Sequence, residues 1–151
     1  MRILILTHFF PPEMGGAASR LFGLARHLRQ FGHQVTVLTG FPNYPSGVFP
    51  DAYQRRWITH ETIEDIEVIR IRVYASPRRG SIRRLANYMS YIAMSTFVGM
   101  QRRQTYDIVF ASSPPLFIGL AGVALARKMN VPWVFDIRDL WPDVAVEAGE
   151  F

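Results

Sequence analysis

The sequence predicts an α/β fold in which helices cover both faces of an open, doubly wound, mostly parallel sheet that carries an inserted β-hairpin. Three observations support this prediction. Short apolar, β-branched runs alternate with stretches whose apolar residues recur at helical spacing. The 151 residues are enough for one full hydrophobic core, and 49% of them are hydrophobic. The chain has no cysteine, which excludes a disulfide scaffold and a thiolate metal site.

The chain begins with a strand, a helix and a second strand. Residues 2–7 and 34–39 are short apolar runs of the kind that forms strands buried on both faces. Between them, residues 18–28 carry apolar side chains at helical spacing. Gly32 is predicted to end this helix, because glycine tolerates the left-handed backbone that commonly follows a last helical turn.

A long loop and a hairpin follow. The loop from residue 40 to about 54 is rich in proline and aromatic residues, and loops of this length are usually functional or mobile. Residues 57–62 and 67–73 are predicted to pair as a hairpin whose second arm continues the main sheet. A helix over residues 82–103 comes next.

Four elements are expected in the rest of the chain. Ser113 is predicted to cap the first of two helices, with Pro114 at its first position. The predicted strand, helix, strand and final helix cover residues 108–111, 116–129, 133–137 and 142–149.

The expected strand order locates the functional site. Strands joined by helices require right-handed parallel crossovers. With the second hairpin arm counted as strand three, an order of 3-2-1-4-5 reverses between the strand ending at Thr7 and the strand ending at Ala111. Ligands of such sheets bind beyond the carboxyl ends of the strands at this reversal. The site is therefore expected in the loops at residues 8–16, 41–47, 112–115 and 138–143.

Several common sites are excluded or weakened by the sequence. The loop after the first strand has adjacent glycines instead of G-x-G-x-x-G, and the second strand ends in Thr39 and Gly40 without an acid for a ribose. No Walker A motif is present. The four histidines lack the spacing of metal ligands, so no metal site is predicted.

Gly15 and Gly16 are the strongest candidates for an anion site. Adjacent glycines at the start of a helix expose backbone amides and the positive end of the helix dipole, and Arg20 lies one turn further on. A flexible turn explains the glycine pair equally well.

Other residues of the same loops are also candidates. Arg138 and Asp139 directly follow a predicted strand, where they either act on a ligand or form an ion pair that steadies the loop. His8 ends the first strand and either faces the crevice or is a satisfied histidine at its rim. Asn43 and Tyr44 suit sugar hydroxyls and ring stacking, although an ordinary proline-rich loop has the same composition.

Positive charge is concentrated in one stretch. Residues 68–106 contain eight arginines and no acidic residue, a distribution that attracts phosphate groups. The predicted helix at residues 82–103 has an apolar, aromatic body with arginines at both ends, so it is either a core helix or one that lies on an anionic membrane surface. No nucleic-acid motif accompanies the arginines. The apolar N-terminal run is too short for a secretion signal, so a cytoplasmic location is expected.

Several motifs together resemble a known family. ILILT at residues 3–7, FFPPEMGG at 9–16 and GHQVTVLT at 32–39 are similar to the amino-terminal domain of family 4 retaining glycosyltransferases, which have the GT-B fold. FPNYPSG at 41–47, SSPP at 112–115 and RDLWPD at 138–143 resemble the branch that builds O-antigen and capsule polysaccharides, including fucosamine transferase-like enzymes. The resemblance covers essentially the whole chain.

The resemblance implies that residues 1–151 are the Rossmann-like, acceptor-binding half of a larger enzyme, whose nucleotide-sugar domain is absent from this chain. The implied reaction transfers a sugar from a nucleotide sugar to a glycolipid or polysaccharide acceptor, commonly on a polyprenyl diphosphate, without a metal or other cofactor. This half alone is then expected to be inactive. An alternative is a noncatalytic membrane-associated subunit that recruits a separate donor-binding domain. Either would work on the inner face of the cytoplasmic membrane, without nucleic acid.

Ten residues are the candidate site residues on this basis. They are Arg138 and Asp139 as catalytic residues without assigned roles, Gly15, Gly16 and Arg20 for the donor diphosphate, and His8, Asn43, Tyr44, Ser112 and Ser113 for the acceptor.

Overall fold

The computed structural model describes residues 1–78 and 80–138. Asp139 and the predicted final helix lie outside the described residues. The elements in chain order are β1 Arg2–Leu6, α1 Gly16–Gln30, β2 Gln34–Gly40, β3 Ile58–Ile63, β4 Ile66–Ile71, α2 Ser81–Gln101, β5 Ile108–Ser112, α3 Ile118–Met129 and β6 Trp133–Asp136.

The described strands form one six-stranded sheet in the order β3-β4-β2-β1-β5-β6. Every neighbouring pair is parallel except β3 and β4, which form the antiparallel hairpin. The predicted order and the inserted hairpin are therefore confirmed. Since β1 lies between β2 and β5, the sheet reverses at the carboxyl end of β1, as the sequence predicts.

Helices cover both faces of the sheet because the strands are apolar on both sides. Ile3 and Ile5 of β1 pack in the cluster that contains Leu21 of α1. Leu4 and Leu6 point the other way, into the cluster that α2 and α3 share. Each face has its own core, and β1 is buried between the two cores.

The end of α1 and the turn of the hairpin both have a left-handed backbone. Gly32 has φ +81° and its amide donates to Arg29 O at 2.9 Å, so it ends α1 as expected. Glu64 and Asp65 have φ values of +47° and +61°, which is the two-residue hairpin turn that matches the twist of paired strands.

The start of the helix after β5 was predicted incorrectly. α3 begins at Ile118, later than the expected residue 116, and no side chain caps it. The hydroxyl of Ser113 instead accepts the amide of Arg138 at 2.9 Å. Because Pro114 and Pro115 have no N–H, an N-terminal turn there offers Ser113 few donors, and the first turn forms on Pro115 O instead.

Candidate functional site at the reversal of the sheet

A cleft of about 780 Å³ opens at the carboxyl ends of the parallel strands. Its lining residues come from the segments that follow β1, β2, β4 and β5. The lining includes four of the candidate site residues, Gly15, Gly16, Asn43 and Tyr44. The position expected for the site thus coincides with a cavity large enough for a sugar-sized ligand.

Helix α1 begins at this cleft without a capping side chain. Gly15 has φ +153°, a conformation that favours glycine. The first turn contains no acidic residue, and a Cβ on Gly15 or Gly16 would meet no atom within 4 Å. The positive end of the helix dipole therefore faces open space, where an anion can bind.

Glu13 is a cleft residue that the sequence patterns did not identify as part of the site. It is only 6% exposed, and its Oε1 accepts the amides of Asn43 and Tyr44, each at 2.9 Å. Burial raises the pKa of the Glu13 carboxyl, while these hydrogen bonds and the charge of Arg70 oppose the rise. Glu13 thus fastens the predicted acceptor loop to the loop between β1 and α1. The one available signal was an acid within an otherwise apolar, proline-rich motif.

His8 lies beneath the cleft wall and does not line the cavity. It is 1% exposed, and burial lowers its pKa to about 4, so the imidazole is neutral near about pH 7. Its Nε2 lies 2.6 Å from Oδ1 of Asn87, and the Asn87 amide donates to Tyr74 O at 2.6 Å. Since the amide nitrogen faces that carbonyl, Oδ1 accepts from His8, and Nε2 carries the proton.

Asn87 is a second cleft residue that the sequence patterns did not identify. Its Nδ2 is also 3.4 Å from Oδ1 of Asn43, so it connects α2 to the predicted acceptor loop. A polar residue in a mostly apolar helix was the available signal. His8 therefore reaches the cleft only through its hydrogen bond with Asn87, which fits the alternative of a satisfied histidine, and its assignment to an acceptor stays a prediction.

The other candidate residues that the structure describes, Arg20, Ser112, Ser113 and Arg138, meet in a polar cluster at the ends of β5 and β6. Arg20 forms an ion pair with Asp136, and Ser112 Oγ donates to the same carboxylate at 2.7 Å. Ser113 Oγ accepts the amide of Arg138. Burial, and then the positive charge of Arg138, lowers the pKa of Arg20. The guanidinium of Arg20 thus already has a carboxylate partner. That partner, Asp136, is a further residue that the sequence patterns missed.

Helix α2 presents an apolar face to solvent. Its buried face contributes Tyr91, Ile92 and Val98 to the core. Its exposed side carries, at helical spacing, an apolar stripe of Ile82, Leu85, Met89, Phe97 and Met100. The core interpretation of this helix therefore accounts for only one of its faces.

Within residues 1–78 and 80–138, none of the helices combines the length and the hydropathy that a membrane-spanning helix requires. The same residues contain no group of three or more His, Asp or Glu side chains that is placed to hold a metal ion.

The sequence profile of the glycosyl transferase 4-like domain matches residues 15–149. A GDP-mannose-dependent alpha-mannosyltransferase of Mycolicibacterium smegmatis is 28% identical over 89% of this chain and 31% of its own length. The putative colanic acid biosynthesis glycosyl transferase WcaI of Escherichia coli K12 is 27% identical over 99% and 37%. The alpha-monoglucosyldiacylglycerol synthase of Acholeplasma laidlawii is 24% identical over 95% and 31%. This chain spans about a third of the length of these curated relatives.

Solved structures of low sequence identity share the fold. The catalytic domain of starch synthase IV from Arabidopsis thaliana, bound to ADP and acarbose, superposes with a TM-score of 0.61 at 14% identity, over 91% of this chain and 34% of that one. The C-terminal domain of a Pyrococcus furiosus hydrogenase superposes with a TM-score of 0.60 at 16% identity, over 89% and 90%. Because proteins of such different function share this architecture, these likenesses support the fold alone.

Proposed function

This chain belongs to the glycosyl transferase 4-like family, and we propose that it is the acceptor-binding half of a retaining glycosyltransferase. In the proposed reaction a sugar moves from a nucleotide sugar to a glycan on a polyprenyl diphosphate, during synthesis of a bacterial surface polysaccharide. The observation that carries the proposal is the open cleft at the reversal of the sheet, with the uncapped start of α1 in its wall. The proposed reaction uses no metal or other cofactor.

The names of the curated relatives support some parts of this proposal. One is named for its dependence on GDP-mannose, which is a nucleotide sugar. Another is named for colanic acid biosynthesis, and a third for making a glucosylated diacylglycerol. Nucleotide-sugar donors and lipid-linked products therefore both occur among proteins to which this chain is similar.

The geometry of the cleft suits sugar transfer. As the bond from the anomeric carbon to the nucleoside diphosphate breaks, negative charge develops on the departing diphosphate. The amides at the start of α1, at Gly15 and Gly16, are fixed donors that can stabilise this charge without reorganising. Asn43, Tyr44 and Asn87 supply amide and phenol groups to the acceptor hydroxyls on the same cleft.

The proposal includes attachment to the inner face of the cytoplasmic membrane through α2. The exposed stripe on α2 begins beside Arg83 and Arg84, so an apolar face and positive charge occur together. An anionic lipid surface complements both features, because the arginines attract head groups while the stripe enters the acyl boundary.

Replacing Gly16 with valine is expected to reduce sugar transfer about 100-fold, because the added side chain blocks the diphosphate from the amides at the start of α1, and losing one fixed donor to a developing anion has an effect of this size. The fold should be retained, because a side chain at Gly16 extends into open space. The measurement is turnover by the full-length enzyme that contains this chain, with unfolding followed in parallel.

Gly23 provides the matched control for this experiment. It lies on the same helix, and its Cβ would also meet no atom within 4 Å, but it does not line the cleft. Gly23→Val should retain turnover. Unchanged turnover in Gly16→Val would remove the assignment of the helix end to the reaction.

Replacing Leu85 and Met89 with serine is expected to reduce binding to anionic vesicles at least about tenfold, because each apolar side chain loses about 1.5 kcal/mol or more of burial. The measurement is sedimentation with phosphatidylglycerol vesicles at low and high salt, since screening should weaken the attachment. Phe31→Ser is the control, because Phe31 is 78% exposed but lies at the end of α1. Equal losses in both variants would contradict the assignment to α2.

A further inference from the structure

Three arginines line the cleft around the start of α2. Arg78 precedes the helix, and Arg83 and Arg84 lie in its first turn. All three are exposed, and within residues 1–78 and 80–138 the ion pairs are formed by other arginines. The positive charge on this wall is therefore not neutralised by the described part of the chain.

The placement of Arg83 and Arg84 opposes helix stability. Positive charges near a helix N-terminus are repelled by the dipole and belong at the other end. The first turn of α2 has no acidic residue, no side chain caps it, and its last turn has no basic residue. The charges at the start of α2 thus oppose the helix dipole, and they occur where the helix meets the cleft. A residue that is unfavourable for its own helix and lies at a cleft is typical of a functional position.

The cleft offers this charge no described counterion of its own. Glu13 is the one acidic residue among the described lining residues, and its Oε1 is already held by two backbone amides. Glu13 is also almost fully buried, at 6% exposed. A ligand with two or more negative charges would neutralise part of the positive charge that these three arginines bring to the cleft.

We propose that Arg78, Arg83 and Arg84 bind the diphosphate of a lipid-linked acceptor. This inference rests on the proposed function and assigns a second anion site, separate from the start of α1. Guanidinium groups form paired hydrogen bonds with phosphate oxygens. Ile82, which is 84% exposed, lies between the arginines in sequence and begins the apolar stripe of α2. The charged group and the lipid chain of one molecule would therefore meet adjoining parts of the same helix.

The test is thermal unfolding of this chain during titration with inorganic pyrophosphate, at constant ionic strength, with geranyl diphosphate as a second probe. In the Arg83→Gln/Arg84→Gln variant, the midpoint without ligand should rise, because the dipole repulsion is removed. The Kd for pyrophosphate should rise at least about tenfold. The first change is a gain in stability and the second is a loss of binding, so general destabilisation cannot produce both.

Arg103→Gln is the matched control, since Arg103 is exposed and directly follows the far end of α2, away from the cleft. It should leave the Kd for pyrophosphate unchanged. The proposal is overturned if the double variant binds pyrophosphate as the wild-type chain does, if no binding occurs, or if only Gly16→Val loses it. Tighter binding of geranyl diphosphate that Ile82→Ser abolishes would support a lipid-linked source, and equal affinities would overturn it.

These measurements separate the inference from the proposed function. The titration contains no sugar, so it reports the anion site whether or not transfer occurs. An enzyme that transfers sugar while the Arg83→Gln/Arg84→Gln variant binds pyrophosphate normally would contradict the inference alone. Arginine-dependent binding without any transfer by the full-length enzyme would contradict the proposed function alone.

Discussion

Replacing Gly47 with alanine is expected to lower the free energy of unfolding by about 3 kcal/mol or more. Gly47 has φ +70°, which a residue with a side chain adopts only at a cost of about 1 kcal/mol. In addition, a Cβ there would overlap with the backbone oxygen and carbonyl carbon of Ser76. Backbone atoms cannot rotate away, so the two segments must separate. Urea denaturation of the chain measures the loss.

Gly32→Ala is the control that isolates the backbone term. Gly32 also has a positive φ, of +81°, but a Cβ there would meet no atom within 4 Å. It should cost about 1 kcal/mol, the strain of the left-handed conformation alone. If Gly47→Ala costs no more than Gly32→Ala, the close contact with Ser76 is not important for stability.

The contact at Gly47 also shapes the cleft. Gly47 and Ser76 both line it, so the backbone of the loop after β2 lies directly on the segment that leads to α2. Glu13 holds the same loop from the other side through the amides of Asn43 and Tyr44. Gly47→Ala in the full-length enzyme is therefore expected to impair acceptor binding as well as stability.

The fold was predictable because its determinants are local or periodic. The apolar runs of β1 and β2 contribute side chains to a core on each face of the sheet, and this pattern requires helices on both faces of the sheet. The end of α1 was predictable from Gly32 alone, because the positive φ of this residue is a local property. The helix cap predicted at Ser113 was wrong because the preference of serine for caps is only statistical. Its hydroxyl here accepts a hydrogen bond from the amide of Arg138, which follows another strand.

The site was predictable where backbone conformation defines it and less so where side-chain partners do. Gly15 and Gly16 lie at the cleft because they follow β1, which the strand order fixes. The partners of Glu13 and Arg20 are distant in sequence, at Asn43 and at Asp136. No spacing rule connects such positions. Glu13 was therefore overlooked, and the carboxylate partner of Arg20 was not anticipated.

Replacing Arg70 with methionine is expected to lower the free energy of unfolding by about 3 kcal/mol. The Arg70 side chain has no exposed surface, its Nε donates to Glu61 Oε2 at 2.7 Å, and its Nη2 donates to Pro11 O. Methionine fills much of the volume but leaves both acceptors without this donor. Arg26→Met is the control, since the pair of Arg26 with Glu64 is half exposed and worth at most about 1 kcal/mol.

The loss in Arg70→Met should also depend on pH, because the charge of Arg70 acts on Glu13. Burial raises the folded pKa of Glu13 above its unfolded value, so its contribution to stability is present below the unfolded pKa and is lost as pH rises through the folded one. Removing Arg70 raises this pKa further, and it also leaves the Glu61 carboxylate without its cation. The deficit measured by urea denaturation should therefore be larger at about pH 7 than at about pH 4.

A second change, Glu61→Gln, should recover part of the deficit, since it removes the unpaired charge. A deficit that is equal at both pH values, or no larger than that of Arg26→Met, would show that Arg70 does not hold the cleft loops through its charge.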